Sequence, residues 1–206
     1  FVLNGNNTSE TFTIFTRAAF FAENPLLAQS AIAASTEIVI TRNGTNNTSV
    51  IAELREIEEI VINSNAQLTA NNGDGVLNGG LIAGDTINIR GNFTGTSLNY
   101  STITINGDAG DDMVDISALE SAHRIVFRTK GGNDVIVGTL RAQDVIEVPA
   151  GSDPASYAAE ANGDGTVTLS NGSHSVTFTG SLDALPSLAP STGSEGGPDT
   201  GNGDGG

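Results

Sequence analysis

A chain of 206 residues with 37% apolar and 16% charged side chains is long enough for one sizeable domain and too apolar for a disordered polyelectrolyte. Its 24 acidic and 8 basic residues give a formal charge of −16, which disfavours nucleic acid and anionic membranes as partners and suits a divalent cation, or simply keeps an exported protein soluble. The absence of cysteine excludes disulfides, thiolate metal sites and cysteine nucleophiles, and no apolar run reaches the length of a membrane span.

Taken in chain order, Phe1-Val-Leu3 opens inside a strand with neither Met nor a signal peptide, so the chain reads as a fragment of a longer protein, with any export signal outside it. Val2 to Ile14 reads as strand, turn, strand, with Asn4-Gly5 in the turn and Glu10 ahead of the second strand. Arg17 to Ser35 has a helical tendency broken at Asn24-Pro25, and Pro25 predicts the start of a short helix ending near Ala34. Glu37 to Ile40 and Val50 to Leu54 flank a polar stretch and predict a hairpin. Glu59 to Asn63 and Asp85 to Ile89 look like the two halves of one strand–turn–strand unit, with about 16 residues inserted in its turn.

Thr102 to Ile105 and Met113 to Ile116 flank the turn Asn106-Gly-Asp-Ala-Gly-Asp-Asp112. A further unit, Ile125 to Val137, carries Gly132 and Asp134 where the previous one has Gly110 and Asp112. Asp144 to Val148 continues the series, and Thr166 to Phe178 predicts a second hairpin with Asn171-Gly172 in its turn. From Ser181 onward Pro, Gly, Ser and acidic residues predict a flexible linker.

The units share a register. Asp112 and Asp134 are 22 residues apart, as are Ile103 and Ile125, while Asp85 and Asp112 are 27 apart with a polar loop taking up the excess. Such a period predicts an all-β, right-handed parallel β-solenoid of a few turns, with inserted hairpins and one short helix, in which equivalent residues stack. The expected organisation is a domain over 1–180, with insertions at about 16–57 and 64–84 and a hairpin cap at 166–178, followed by a linker over 181–206.

The turn at Asn106 to Asp112 carries the chemistry. Asp108, Asp111 and Asp112 supply hard, charged oxygen, and Gly107 and Gly110 allow a tight turn whose carbonyls point inward, which suits the six to eight oxygen ligands of Ca²⁺. It fits the nonapeptide G-G-x-G-x-D-x-U-x at Gly107, Gly110, Asp112 and Val114, with Asp108 in place of the second glycine. The Asn-Gly-Asp-Gly strings at 72, 162 and 202 lack the closing Glu of an EF-hand and read as plain turns. His123 and His174 belong to no spaced cluster, no nucleophile elbow is present, and the adjacent pair Asp111-Asp112 does not span a sugar as a glycosidase couple must.

On these motifs, Asn106 to Pro149 resembles the repeats-in-toxin (haemolysin-type) calcium-binding proteins. The string SALESAHRIVFRTKGGNDVIVGTLRAQDVIEVP, Ser117 to Pro149, is similar to a region of large secreted α-proteobacterial proteins that couple animal-type haem peroxidase domains to haemolysin-type repeats. The resemblance implies type I secretion, folding on external Ca²⁺, and a place outside a Gram-negative cell or on its surface. It implies metal ligands at Asp112 and Asp134, with Asp85 and Glu10 as weaker equivalents. Gly107, Gly110 and Gly132 would be turn glycines, and Asp108, Asp111 and Asn133 further oxygen donors. Arg128 and Lys130 depart from the pattern by bringing positive charge into the third turn, where they either oppose calcium or replace it by pairing with Asp108 or Asp112.

No peroxidase haem motif is present, so the expected role is non-catalytic: a calcium-binding structural module beside neighbouring domains of the same protein. The alternative is a structural or adhesive surface protein that assembles through open solenoid ends without calcium. A polysaccharide-cleaving β-helix is the third reading.

Overall fold

The computed structural model describes residues 1–6, 8–64, 84–98, 102–107, 109–172 and 174–191. Residues 65–83 of the expected insertion at 64–84, Asp108 and most of the expected linker therefore lie outside the described residues.

Two sheets form. The first has six strands, β1 (Val2–Asn4), β5 (Ile60–Asn63), β7 (Thr102–Asn106), β9 (Arg124–Arg128), β11 (Val145–Val148) and β15 (Ser187–Pro190), neighbours in that order and all parallel. The second has nine. Its central strands β14 (Ser175–Thr179), β10 (Asn133–Thr139), β8 (Met113–Asp115), β6 (Thr86–Arg90) and β2 (Thr11–Thr16) are parallel neighbours. Antiparallel strands extend it at both ends: β3 (Ile38–Arg42) and β4 (Val50–Leu54) beyond β2, and β13 (Thr166–Ser170) and β12 (Ala158–Ala161) beyond β14.

This corrects the expected fold class. A right-handed parallel β-solenoid follows from the 22-residue period, but the strands make two layered sheets, one parallel and one mixed, and no closed solenoid. The period specifies which strands become neighbours. It does not foresee that β3–β4 and β12–β13 fold back antiparallel and convert the second sheet into a mixed one.

Inward side chains from both sheets meet in one core. Ile60, Ile62, Ile103, Ile105 and Phe127 of the parallel sheet pack with Phe12, Ile14, Ile87, Val114 and Ile136 of the mixed sheet, all essentially without solvent exposure. Strict alternation makes this possible, since every second residue of a strand faces the same side. Phe127 lies in the middle of this layer, and Phe127→Ala is expected to cost about 3–5 kcal/mol, read as a lower urea midpoint at unchanged slope.

The helix lies earlier than the sequence predicts. α1 spans Arg17–Glu23, ahead of Pro25, because the Thr16 hydroxyl accepts the Ala19 amide and caps it. Phe20 and Phe21 from α1 join Ile32, Phe15 and Val39 in a second cluster on the outer face of the mixed sheet. A further correction concerns the tail: Ser187–Pro190, inside the expected linker, pairs with β11 as an edge strand.

On the outer face of the parallel sheet an amide ladder crosses the strands. Asn63 donates to Asn4 at 2.6 Å, Asn106 to Asn63 at 2.5 Å, and Arg128 to Asn106 at 3.1 Å, while Arg128 pairs with Glu147 at 2.5 Å.

Candidate metal centre

At the entry to four of the five parallel strands of the mixed sheet stands one acid. Glu10, Asp85, Asp112 and Asp134 precede or open β2, β6, β8 and β10, and each is 1–2% exposed. Parallel pairing in register stacks them into a column. The Glu10 amide donates to Asp85 Oδ1 at 2.7 Å, the Asp85 amide to Asp112 Oδ1 at 2.7 Å, and the Asp112 amide to Asp134 Oδ1 at 3.0 Å. One oxygen of each aspartate thus satisfies a buried backbone donor of the neighbouring turn, which a side chain without an acceptor would leave orphaned.

The two ends of the column differ. At the Glu10 end, Arg42 of β3 forms an ion pair with the buried carboxylate, and the Asn6 amide donates to its other oxygen at 2.6 Å. At the Asp134 end, the residue next in register is Val176, which brings neither charge nor donor. Asp134 Oδ2 is buried without a hydrogen-bond partner. Burial pushes the Asp134 carboxyl up to about 8; the Thr129 hydroxyl and the Asp112 amide hold it down in part, while the Asp112 and Asp111 carboxylates push it higher.

A second, exposed column runs beside the first. Asp111 Oδ1 accepts the Asn133 amide at 2.8 Å, and Asn133 Oδ1 accepts the Ser175 hydroxyl at 3.0 Å. The glycines sit where the turns touch. A Cβ on Gly107 would lie 2.7 Å from Asp112 Oδ2, and one on Gly132 would lie 2.1 Å from the Gly110 carbonyl oxygen. The fold therefore brings Asp85, Asp112, Asp134, Asp111, Asn133, Gly107, Gly110 and Gly132 into two adjacent columns of stacked turns.

The donors are hard oxygens, and the partnerless Asp134 oxygen beside the Asp112 and Asp111 charges fits a cation. Among the described residues no three carboxylate or imidazole side chains converge on one point. A metal here would be held between two turns by a pair of carboxylates together with backbone carbonyls, not in an all-carboxylate cage. Arg128 does not take its place: the side chain is engaged with Glu147 and Asn106 on the other sheet. Lys130 is exposed.

Sequence reasoning missed Arg42, whose signal was the predicted hairpin: antiparallel pairing sets Arg42 opposite Phe12, two residues from Glu10. The histidines are buried loop staples. His123 bonds Ser121 Oγ at 2.9 Å and the Leu98 carbonyl at 3.0 Å, and burial lowers its pKa. A cavity of about 380 Å³ lined by Ser117, Ser121, Thr139 and Arg141 lies beyond the C-terminal ends of β8 and β10, and its guanidinium is paired with buried Asp144 at 3.2 Å. No helix among the described residues is long and apolar enough to cross a membrane. Compared with protein-family models, curated proteins and solved structures, the chain matches none.

Proposed function

We propose that this chain is a non-catalytic structural module of a larger secreted protein, stiffened by a calcium ion bound at the Asp134 end of the acid column. The observation that carries this reading is the asymmetry of the column: Arg42 balances its Glu10 end, and Asp134 has no such partner for its second oxygen. Bound calcium supplies the positive charge that lets neighbouring carboxylates stay ionised in a buried turn. Asp134 and Asp112 would hold it, with Asp111 and turn carbonyls as further oxygen donors. The chain's own contribution is the preformed spacing, set by parallel pairing of β8 and β10.

The test is thermal unfolding at pH 7.5 in EDTA and in roughly 5–10 mM Ca²⁺, above the range of weak extracellular sites. Calcium is expected to raise the melting temperature, with a stabilisation of about 2.7 kcal/mol where its concentration is one hundred times Kd. Asp112→Asn should remove most of that shift. Superimposable curves in EDTA and calcium would overturn the proposal and favour the alternative, a structural or adhesive protein with no functional calcium dependence.

A further inference from the structure

The cavity of about 380 Å³ lies between the β8–β9 loop and the β10–β11 connection. Its lining differs from the rest of a chain with a formal charge of −16: no lining residue is acidic, and Arg141 is a cation. Ile116 and Leu119 supply apolar surface, and Ser117, Ser121 and Thr139 supply hydroxyls. The two walls touch directly. Gly138 permits this, since a Cβ there would lie 2.8 Å from Ile116 Cγ1 and 2.9 Å from the Ser117 amide nitrogen. Backbone contact between successive turns therefore shapes the cavity.

Arg141 is held from behind. Asp144, without solvent exposure, accepts Nε at 3.2 Å and Nη2 at 3.4 Å, and Nη2 also donates to the His123 carbonyl. Asp144 further accepts the Ile125 amide at 2.9 Å and the Arg141 amide at 2.7 Å, which spreads its charge over several donors. One edge of the guanidinium is thus clamped, while Nη1 has no partner among the described residues. A clamped side chain loses little rotamer freedom when its free end takes a ligand. The hydroxyls divide in the same way. Ser121 Oγ is committed to the Phe93 amide at 3.0 Å and to His123 at 2.9 Å. Ser117 Oγ donates to Asp115 Oδ1 at 2.5 Å and keeps its lone pairs. The Thr139 hydroxyl has no partner among the described residues.

We infer that this cavity binds a single sugar acid, a uronate. Its carboxylate meets Arg141 Nη1, its hydroxyls meet Thr139 and Ser117, and its C–H face rests on Ile116 and Leu119. The parts select the class. A guanidinium with no acid among the other lining residues points to an anion. The apolar surface points to a ligand with carbon to bury, which an inorganic anion lacks. One hydroxyl that accepts and one that is free match a hydroxylated ring better than an alkyl chain. The volume lies near the lower end of the roughly 300–1,000 Å³ of small-molecule sites, so one ring fits and a polymer does not.

An amide NMR titration of the full chain with glucuronate tests this, in EDTA so that metal plays no part. Saturable shifts are expected at residues 116–121 and 138–141, with Kd of about 1 mM for a ligand of about a dozen heavy atoms. Glucose, acetate and sulfate each carry only part of that chemistry and should bind about tenfold more weakly or worse. Arg141→Lys should weaken glucuronate by about tenfold or more, because an ammonium cannot grip Asp144 and the ligand in one plane. Thr139→Val, at an exposed position, should weaken it several-fold through one lost hydrogen bond. This variant leaves the Arg141–Asp144 pair intact, so it reports on binding even if Arg141→Lys fails to fold. Absence of a saturable shift with glucuronate overturns the inference. Equal binding of sulfate overturns it too, as does an affinity that Thr139→Val and a folded Arg141→Lys both leave unchanged.

Discussion

In the absence of calcium, Asp134→Asn is expected to gain stability relative to the natural chain as pH rises from about 4 to 8. The carboxyl is raised from an ordinary value of 3.8 to about 8 in the folded state. Between those values the native state binds the proton and the unfolded state does not, so the stability linked to that proton is complete below pH 4 and lost as pH passes 8. At one pKa unit per 1.36 kcal/mol, the difference between variant and parent reaches on the order of 5 kcal/mol at most. Asparagine keeps an oxygen for the Asp112 amide and places a neutral NH₂ where the protonated carboxyl carries its hydrogen. Urea midpoints of both proteins in EDTA at half-unit pH steps read the effect, and two parallel profiles would show that burial does not disfavour the Asp134 charge. Calcium reverses the ranking under the proposed function. At pH 8 it restores the parent and does nothing for the asparagine variant.

Gly132→Ala is expected to cost about 3 kcal/mol or more. Gly132 has φ of +80°, a region that costs an alanine about 1–2 kcal/mol, and its added Cβ would overlap the Gly110 carbonyl oxygen at 2.1 Å. Gly163, in the β12–β13 turn, has φ of +78° with open space around it. Gly163→Ala should therefore show the conformational part alone, about 1–2 kcal/mol. The remainder measures how tightly successive turns are stacked. Gly84→Ala separates the terms from the other side: its Cβ would sit 1.8 Å from the Asp111 carbonyl oxygen without a left-handed backbone. Chemical denaturation of the three variants gives the comparison, and equal losses in Gly132→Ala and Gly163→Ala would mean that the stacked turns yield freely.

The sequence made the neighbours legible. Ile103 and Ile125 are register partners, and Glu10, Asp85, Asp112 and Asp134 follow one another through backbone hydrogen bonds, because a common period aligns like residues. The layers were less legible. A 22-residue period reports which strands lie side by side, and antiparallel additions such as β3–β4 fall outside it. The helix was displaced because Pro25 marks a favourable first helical position, whereas the cap that forms is Thr16, three residues before Ala19. β15 was hidden by composition: Pro190 and its serine-rich surroundings read as linker, yet an edge strand tolerates proline. Within the candidate site, the acids were found by motif. The imbalance between their two ends depends on Arg42 and Val176, which come from distant hairpins and have no local signature.

The amide ladder on the parallel sheet bears on how the chain finds its alignment. A slip of one residue between β5 and β7 turns Ile103 and Ile105 outward and is rejected by the core. A slip of two keeps both faces intact, and apolar patterning alone scarcely penalises it. It would set Asn106 against Val61 and break the chain of amides that joins Asn4 to Arg128. The ladder thus acts as a vernier, sensing errors to which the hydrophobic pattern is blind. Its change from asparagine to arginine and glutamate at β9 and β11 also tells the later strands apart from the earlier ones, so near-identical segments cannot trade places without leaving a charge unmatched.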